Sequence, residues 1–401
     1  MMKMERVKLG DISKLINGDR GKNYPSQADI TDDGEIPFIN AGHLNGGSID
    51  FSEMNYISQD KYDKLNSGKF QKGDILYCLR GSLGKKAIVN NDINGAIASS
   101  LVIIRPDPEK VSGEYLMLAL DSPAIKEQLV KANNGSSQPN LSAASVREYE
   151  VELPEFSIQK EVVEKLIKVR SIIDNRRQEL QLLNDLIKAR FVEMFGGSDS
   201  ELNRWKQEPL GNICKRVKRY PTFCNMEYLE SGVRVIRIGN ILQDGHMDVE
   251  DKNYVFVYEK ANDDFPETII ERNDIVMAVR GDGSAASRIG IITEEKLIGA
   301  NISPNLIRMQ ADSEKILPLF FFYYLTGEVG QKRLDSYVNK TAKKNIAAKD
   351  IVKVMTPIPP LDIQRQFVSL VEQVNKSKVV VQKALDETQI LFNSLMQQYF
   401  G

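Results

Sequence analysis

The feature that most constrains this chain is internal repetition. Leu9-Gly10-Asp11-Ile12 returns as Leu210-Gly211-Asn212-Ile213, and Gly73-Asp74-Ile75 with Arg80-Gly81 returns as Asn273-Asp274-Ile275 with Arg280-Gly281. Leu153-Pro154 and Ser157-Ile158-Gln159 return as Ile358-Pro359 and Asp362-Ile363-Gln364, and Met194-Phe195-Gly196 returns as Tyr399-Phe400-Gly401. The offset stays between about 197 and 205 residues. Repeats of a solenoid run only about 20–50 residues, so the chain holds two copies of one domain. Its 401 residues are enough for each copy to have its own core.

Each copy reads as a globular part followed by a long helix. In the first copy, runs at 36–41, 74–79, 86–90 and 99–105 carry the β-branched and aromatic bias of strands. The second repeats them at 234–238, 274–279, 289–293 and 306–309. A helix is expected over 114–132 and again over 317–338. The fold class is mixed α/β (α+β), with a curved sheet, twice.

The tails differ in kind. Residues 157–195 contain neither proline nor glycine. Leu166, Val169, Ile173, Leu180, Leu183, Ile187 and Met194 recur in steps of three and four, with Arg176 and Arg190 filling two slots. Phe367, Val371, Val374, Val381, Leu385, Phe392, Leu395 and Tyr399 do the same, with Lys378 and Thr388 as exceptions. This is the 3.5-residue repeat of a coiled coil. Ser157 and Asp362 are expected to cap the two helices. At 1.5 Å per residue each helix is about 58 Å long. A helix of that length needs a packing partner, and an approximate two-fold between the copies would pair the two as an antiparallel coiled coil.

The chemistry of a catalyst is missing. Two histidines, His43 and His246, have no second His or Cys at ligand spacing. No phosphate loop or dinucleotide fingerprint occurs. Asp107 and Glu109 are crowded into one turn rather than set on two strands. No metal or cofactor is expected, and the chain binds rather than reacts. Cys78, Cys214 and Cys224 are scattered, as reduced thiols of a cytoplasmic protein would be. Residues 1–11 have no apolar core, so no secretory leader is expected. No apolar run is long enough to span a bilayer. The net charge of −2 means that any DNA affinity must come from local patches or partners.

Such patches recur. Asn134, Ser136, Ser137, Gln138 and Asn140 have Lys340, Thr341, Lys343, Lys344 and Asn345 as counterparts. Arg80, Ser82, Lys85 and Lys86 are matched by Arg280, Ser284 and Arg288. Arg20 and Lys22 sit where the second copy has Lys218 and Arg219. Asn40 and His43, in a turn where a polar side chain faces ligand or solvent, and Arg237 and Asn240 complete the candidate DNA-binding set. These are side chains that reach base edges and phosphates. The scaffold points match between copies and the loops do not, which suits two readers of different targets.

Residues 135–141, Leu153-Pro154 and Gln159, with Asn345-Ile346, Pro359-Pro360 and Gln364 in the second copy, resemble the specificity subunit of type I restriction–modification systems. The resemblance covers essentially the whole chain. It implies a target-recognition domain at 1–153, a long helix at 154–197, a second recognition domain at 198–357 and a second helix at 358–401. It implies that each domain reads one half of a split double-stranded DNA sequence. The helices would act as a ruler and dock methyltransferase subunits, two of them, with the restriction–translocation subunit joining through that complex. It implies no catalysis by this chain. A helix of about 58 Å corresponds to about 17 base pairs at 3.4 Å each. Lys343 stands where the family pattern expects a counterpart of Gln138, which suits phosphate better than a base. The competing readings are a self-contained methyltransferase or nuclease, and a coiled-coil scaffold whose globular domains bind protein.

Overall fold

The computed structural model describes residues 5–133, 139–219, 227–279, 288–338 and 346–401. The chain forms two compact units, Met1–Arg177 with Lys383–Gly401, and Gln178–Gln382.

In the first unit a four-stranded antiparallel sheet runs in the order Ser13–Asn17, Leu101–Pro106, Ile75–Cys78, Lys86–Ile88. Ile75–Cys78 is buried along its whole length, as a strand covered on both faces must be. The period-2 alternation sorts its side chains. Ile75, Tyr77, Val102 and Ile104 enter one core, and Leu76, Cys78, Leu101 and Ile103 enter the other. The first core lies under helices Gly113–Ala119 and Pro123–Ala132. The second is closed by a sheet ordered Tyr56–Ile57, Ile36–Ile39, Gly95–Ile97, Lys69–Phe70, in which Ile36–Ile39 and Gly95–Ile97 run parallel. The strand Glu5–Lys8 pairs with Glu150–Leu153.

The second unit repeats this order. Cys214–Arg219, Leu306–Ala311, Ile275–Ala278 and Ile289–Ile291 form its main sheet. Val255–Val257, Val233–Ile236 and Asn301–Ile302 form its second, and Lys206–Pro209 pairs with Met355–Ile358. The repeated Gly73-Asp74 and Asn273-Asp274 now have a reason. Both turns need a left-handed residue, with φ +87° at Gly73 and +66° at Asn273, and glycine and asparagine tolerate that region best.

Three expectations are corrected. The helix expected over 114–132 is two, because Ser122 caps a new helix through Ile125 N and Pro123 starts it. The helix expected over 317–338 is likewise two, Pro318–Thr326 and Glu328–Asp335, broken at Gly327. Ser157 and Asp362 are not caps. The long helices α1 (Phe156–Phe195) and α2 (Leu361–Phe400) start one residue earlier. The carbonyls of Glu155 and Pro360 accept their first hydrogen bonds.

Gln159 and Gln364, each buried in the first turn of its helix, make matching clamps. Gln159 Oε1 accepts from Ser112 N at 3.0 Å, and its Nε2 donates to the carbonyls of Lys110 and Pro154. Gln364 Oε1 accepts from Leu317 N at 2.8 Å, and its Nε2 donates to Lys315 and Pro359.

The heptad positions are the buried or half-buried ones along both helices. In the first unit Val162 and Leu166 of α1 share a core with Met396, Tyr399 and Phe400 of α2. There two of the four polar exceptions to the heptads meet, as the Arg176 guanidinium donates to Thr388 Oγ1 and the Ala384 carbonyl. In the second unit Ile187, Phe191 and Phe195 of α1 pack with Phe367, Val371 and Val374 of α2. Among the described residues no helix is long and apolar enough to cross a membrane.

Candidate nucleic-acid interface

In both units backbone bonds tie together the ends of strands from different sheets. In the first, Ala98 N donates to Ile39 O, and Leu79 N to Ser100 O, each at 2.8 Å. Gly81 N donates to Pro139 O, and Leu141 N to Leu79 O. The second unit has the same ties, with Ser303 N to Ile236 O, Val279 N to Asn305 O and Ile346 N to Val279 O. The described strand ends of the two units are therefore tied at matched places.

The turn after Ile36–Ile39 is a short 3-10 helix, Ala41–His43, and the turn after Val233–Ile236 is another, Ile238–Asn240. His43 was expected to face ligand or solvent. It is buried instead, and its Nδ1 accepts from Asn40 N at 3.1 Å while Nε2 lies 3.1 Å from the Glu53 carbonyl. That pattern requires a neutral ring protonated on Nε2. Asn240 is also buried, and its Oδ1 accepts from Arg237 N at 2.8 Å while Nδ2 donates to the Asn253 carbonyl at 3.0 Å. The two residues perform one job: each ties the base of its turn to a backbone carbonyl ten or more residues on.

Burial holds the His43 imidazole below its ordinary value of 6.5, against the opposite pull of the Glu53 carbonyl and of Asp50. Its contribution to stability is therefore full above 6.5 and is lost as pH falls below it. We expect His43→Asn to change stability by less than about 1 kcal/mol and to remove this acid sensitivity. His43→Ala should cost about 1–3 kcal/mol through unsatisfied backbone groups. Thermal melts between pH 5 and pH 8 check this, and an unaltered pH dependence in His43→Asn would refute it.

The other candidates divide by what they touch. Asn40, half-buried, accepts from Gly42 N through Oδ1. Arg20, exposed, reaches the Ser99 carbonyl at 3.4 Å; Lys22 and Ser82 are exposed. Arg80 and Asn140 are exposed and bridge through their backbones. Lys85 donates to the Ala41 carbonyl at 2.9 Å, and Arg288 donates to the Ile241 carbonyl at 3.4 Å. Arg219 donates to the Pro304 carbonyl at 3.1 Å. Lys86 turns inward and pairs with Asp121, and Lys218 is paired with Glu267 at 2.6 Å. Asn134, Ser136, Ser137, Gln138, Arg280, Ser284, Lys340, Thr341, Lys343, Lys344 and Asn345 lie outside the described residues.

Sequence reasoning missed the surroundings of Arg237. Tyr228, Lys252, Asn253, Ser303 and Asn305 line a cleft of about 760 Å³ with it. They come from four separate stretches of chain, so no local pattern could have joined them. Among the described residues no group of three His, Cys, Asp or Glu is placed to hold a metal ion.

The family described as type I restriction modification DNA specificity domain matches residues 1–185 and again 203–387. The MjaVIII specificity subunit of Methanocaldococcus jannaschii is 23% identical over 95% of this chain and 89% of its own length. The EcoKI specificity subunit of Escherichia coli K12 is 19% identical over 97% and 86%. The crystal structure of the type I S subunit from M. genitalium aligns over 100% of this chain and 96% of its own, with a TM-score of 0.57 and 16% identity. A chain from a structure of the type I R-M system bearing on complex assembly and conformational transition aligns over 100% and 98%, with a TM-score of 0.63 and 18% identity. These solved structures share the fold. With both of its halves matched, this chain belongs to the type I restriction–modification DNA specificity domain family and carries that domain twice.

Proposed function

We propose that the chain is the sequence-specific DNA-recognition subunit of a type I restriction–modification complex. The observation that carries this reading is the pair of equivalent loop ends. The same ties hold both, while the side chains they display differ, with Asn40 in one unit and Arg237 in the other. Two such ends suit two halves of a bipartite target. The recognition domains would span 1–153 and 198–357, and the helical parts 154–197 and 358–401. Arg20, Lys22, Asn40, Arg80, Ser82, Lys85 and Asn140 are the described candidates for contact in the first domain, and Arg219, Arg237 and Arg288 in the second.

The two 40-residue helices would pair as an antiparallel coiled coil that sets the spacing between half-sites. Supporting their role in docking two methyltransferase subunits, they expose Ile167, Leu182, Val379 and Ile390, each at least half accessible. Apolar surface of that kind suits a protein partner. The restriction subunit would join through that complex, catalysis would belong to the partners, and the assembly would work in the cytoplasm.

A chain of net charge −2 neutralises few phosphates alone. We expect weak, unspecific binding to duplex DNA by the isolated chain, and sequence-specific binding at least 100-fold tighter with methyltransferase present. A gel shift over randomised duplexes, with and without that partner, checks this. Equal affinity in both would refute it, and enrichment of no sequence would favour a protein-binding scaffold.

A further inference from the structure

We propose that the residue capping the 3-10 turn is a base-reading position in each unit, with Arg237 reading a guanine and Asn40 an adenine. This rests on the DNA-recognition reading above and names the bases that one position takes.

Asn40 and Arg237 occupy the same place, directly after Ile36–Ile39 and Val233–Ile236 and directly before matching turns. Both roots are held rigidly, since His43 and Asn240 bond the backbone N–H of the capping residue itself. A side chain on a fixed root loses less freedom on binding, and its geometry is set before the ligand arrives.

The Arg237 guanidinium is only partly engaged. Nη2 donates to the Asn253 carbonyl at 3.2 Å, and the group sits 5.9 Å from the centre of the Tyr228 ring. Nε is buried without a hydrogen-bond partner, and Nη1 has none among the described residues. The carboxylate lining the same cleft is already taken, as Asp248 accepts from Glu250 N and Asn253 Nδ2. The guanidinium is therefore oriented, beside a polar cleft, with Nη hydrogens left over for a ligand.

The two residue types differ in charge but share a shape. A position that served only as a point charge would carry a cation in both copies. Here one copy has arginine and the other a neutral asparagine. What the two share is a planar end group with several hydrogen-bonding atoms. Arginine matches the two acceptors of guanine in the major groove, O6 and N7, and asparagine matches the donor and acceptor of adenine, N6 and N7. Asn40 Oδ1 already accepts from Gly42 N at 2.7 Å. That bond fixes the amide so that one oxygen lone pair and both Nδ2 hydrogens remain.

The test is selection from randomised duplexes by the full complex with methyltransferase, comparing wild type, Arg237→Gln and Asn40→Ser. Arg237→Gln should lower the preference for guanine at one base pair of one half-site by about 5- to 100-fold. The other half-site should be unchanged. Asn40→Ser should relax an adenine in the opposite half-site and leave the first intact. Half-sites unaltered in both variants would overturn the proposal. So would a uniform loss of affinity over all sequences with a shallower salt dependence, the signature of a phosphate contact. If the wild-type complex itself enriches no sequence, the DNA-recognition reading fails first.

Discussion

Phe195→Ala is expected to destabilise the second unit by about 3–5 kcal/mol while leaving the first nearly untouched. Phe195 is fully buried, with ring centres 4.6 Å from Phe320 and 5.5 Å from Phe367. Truncation removes both its own transfer energy and the edge-to-face contacts, and a core closed by four rings cannot collapse into the space. The location gives the prediction its interest. Helix α1 starts in the first unit, held there by Gln159, yet its last aromatic residue completes the core of the second. Phe400→Ala should act in the opposite place. Its ring lies 5.2 Å from Tyr115, within the core of the first unit. A single free energy is poorly defined for a two-unit chain. Hydrogen exchange resolved by peptide is the suitable measurement, and faster exchange across residues 5–150 in Phe195→Ala would contradict the assignment.

Arg308→Leu is expected to cost about 3–5 kcal/mol at pH 8 and clearly less at pH 5. Arg308 is fully buried, and its Nε meets Asp274 Oδ2 at 2.6 Å while Nη2 meets Glu271 at 2.9 Å. Its counterpart Arg105 places both Nε and Nη2 on Asp74. Because Arg308 divides itself between two carboxylates, Asp274 Oδ1 is left buried without a partner. Burial pushes the Asp274 carboxyl up from 3.8 to about 6, against the pull of a backbone N–H and of Arg308. An acid whose folded value is raised favours folding most at low pH, and that contribution is lost as pH rises through 6. Removing Arg308 raises the folded value further. The extra penalty therefore appears only above about 6, where the wild-type carboxylate is ionised. Below it, only the lost hydrogen bonds and packing remain. Adding Asp274→Asn should recover most of the deficit at pH 8, since no buried charge is then left alone. Denaturant melts at the two pH values check this, and a deficit as large at pH 5 as at pH 8 would sink it.

Much of the fold was legible because strand and helix periods leave different marks. The runs at 74–79 and 274–279 alternate into two cores, and their strands fall where the pattern put them. The heptads were equally plain, and two of their four polar interruptions, Arg176 and Thr388, proved to be partners. The breaks inside the shorter helices were not read, because the apolar face continues across both pieces. Ser122-Pro123 was a visible stop, but Gly327 is a lone glycine in a greasy stretch. For the candidate interface, sequence could mark charge and polarity but not occupancy. Lys86 and Lys218 look as available as Lys85 until Asp121 and Glu267 are seen beside them. Likewise, nothing near His43 announces that its ring belongs to the carbonyl of Glu53.

The division of the chain has a bearing on biosynthesis. The second unit is one continuous stretch, Gln178–Gln382, whereas the first needs Lys383–Gly401 as well as Met1–Arg177. Met396, Tyr399 and Phe400 supply part of its core. On a ribosome delivering about 5–20 residues per second, domains ordinarily mature from the N-terminus onward. Here the N-terminal unit cannot be completed first. The second unit has all of its residues before the first can close, and the earlier-made unit waits, with Tyr115 and Leu166 uncovered, for the last turns of α2.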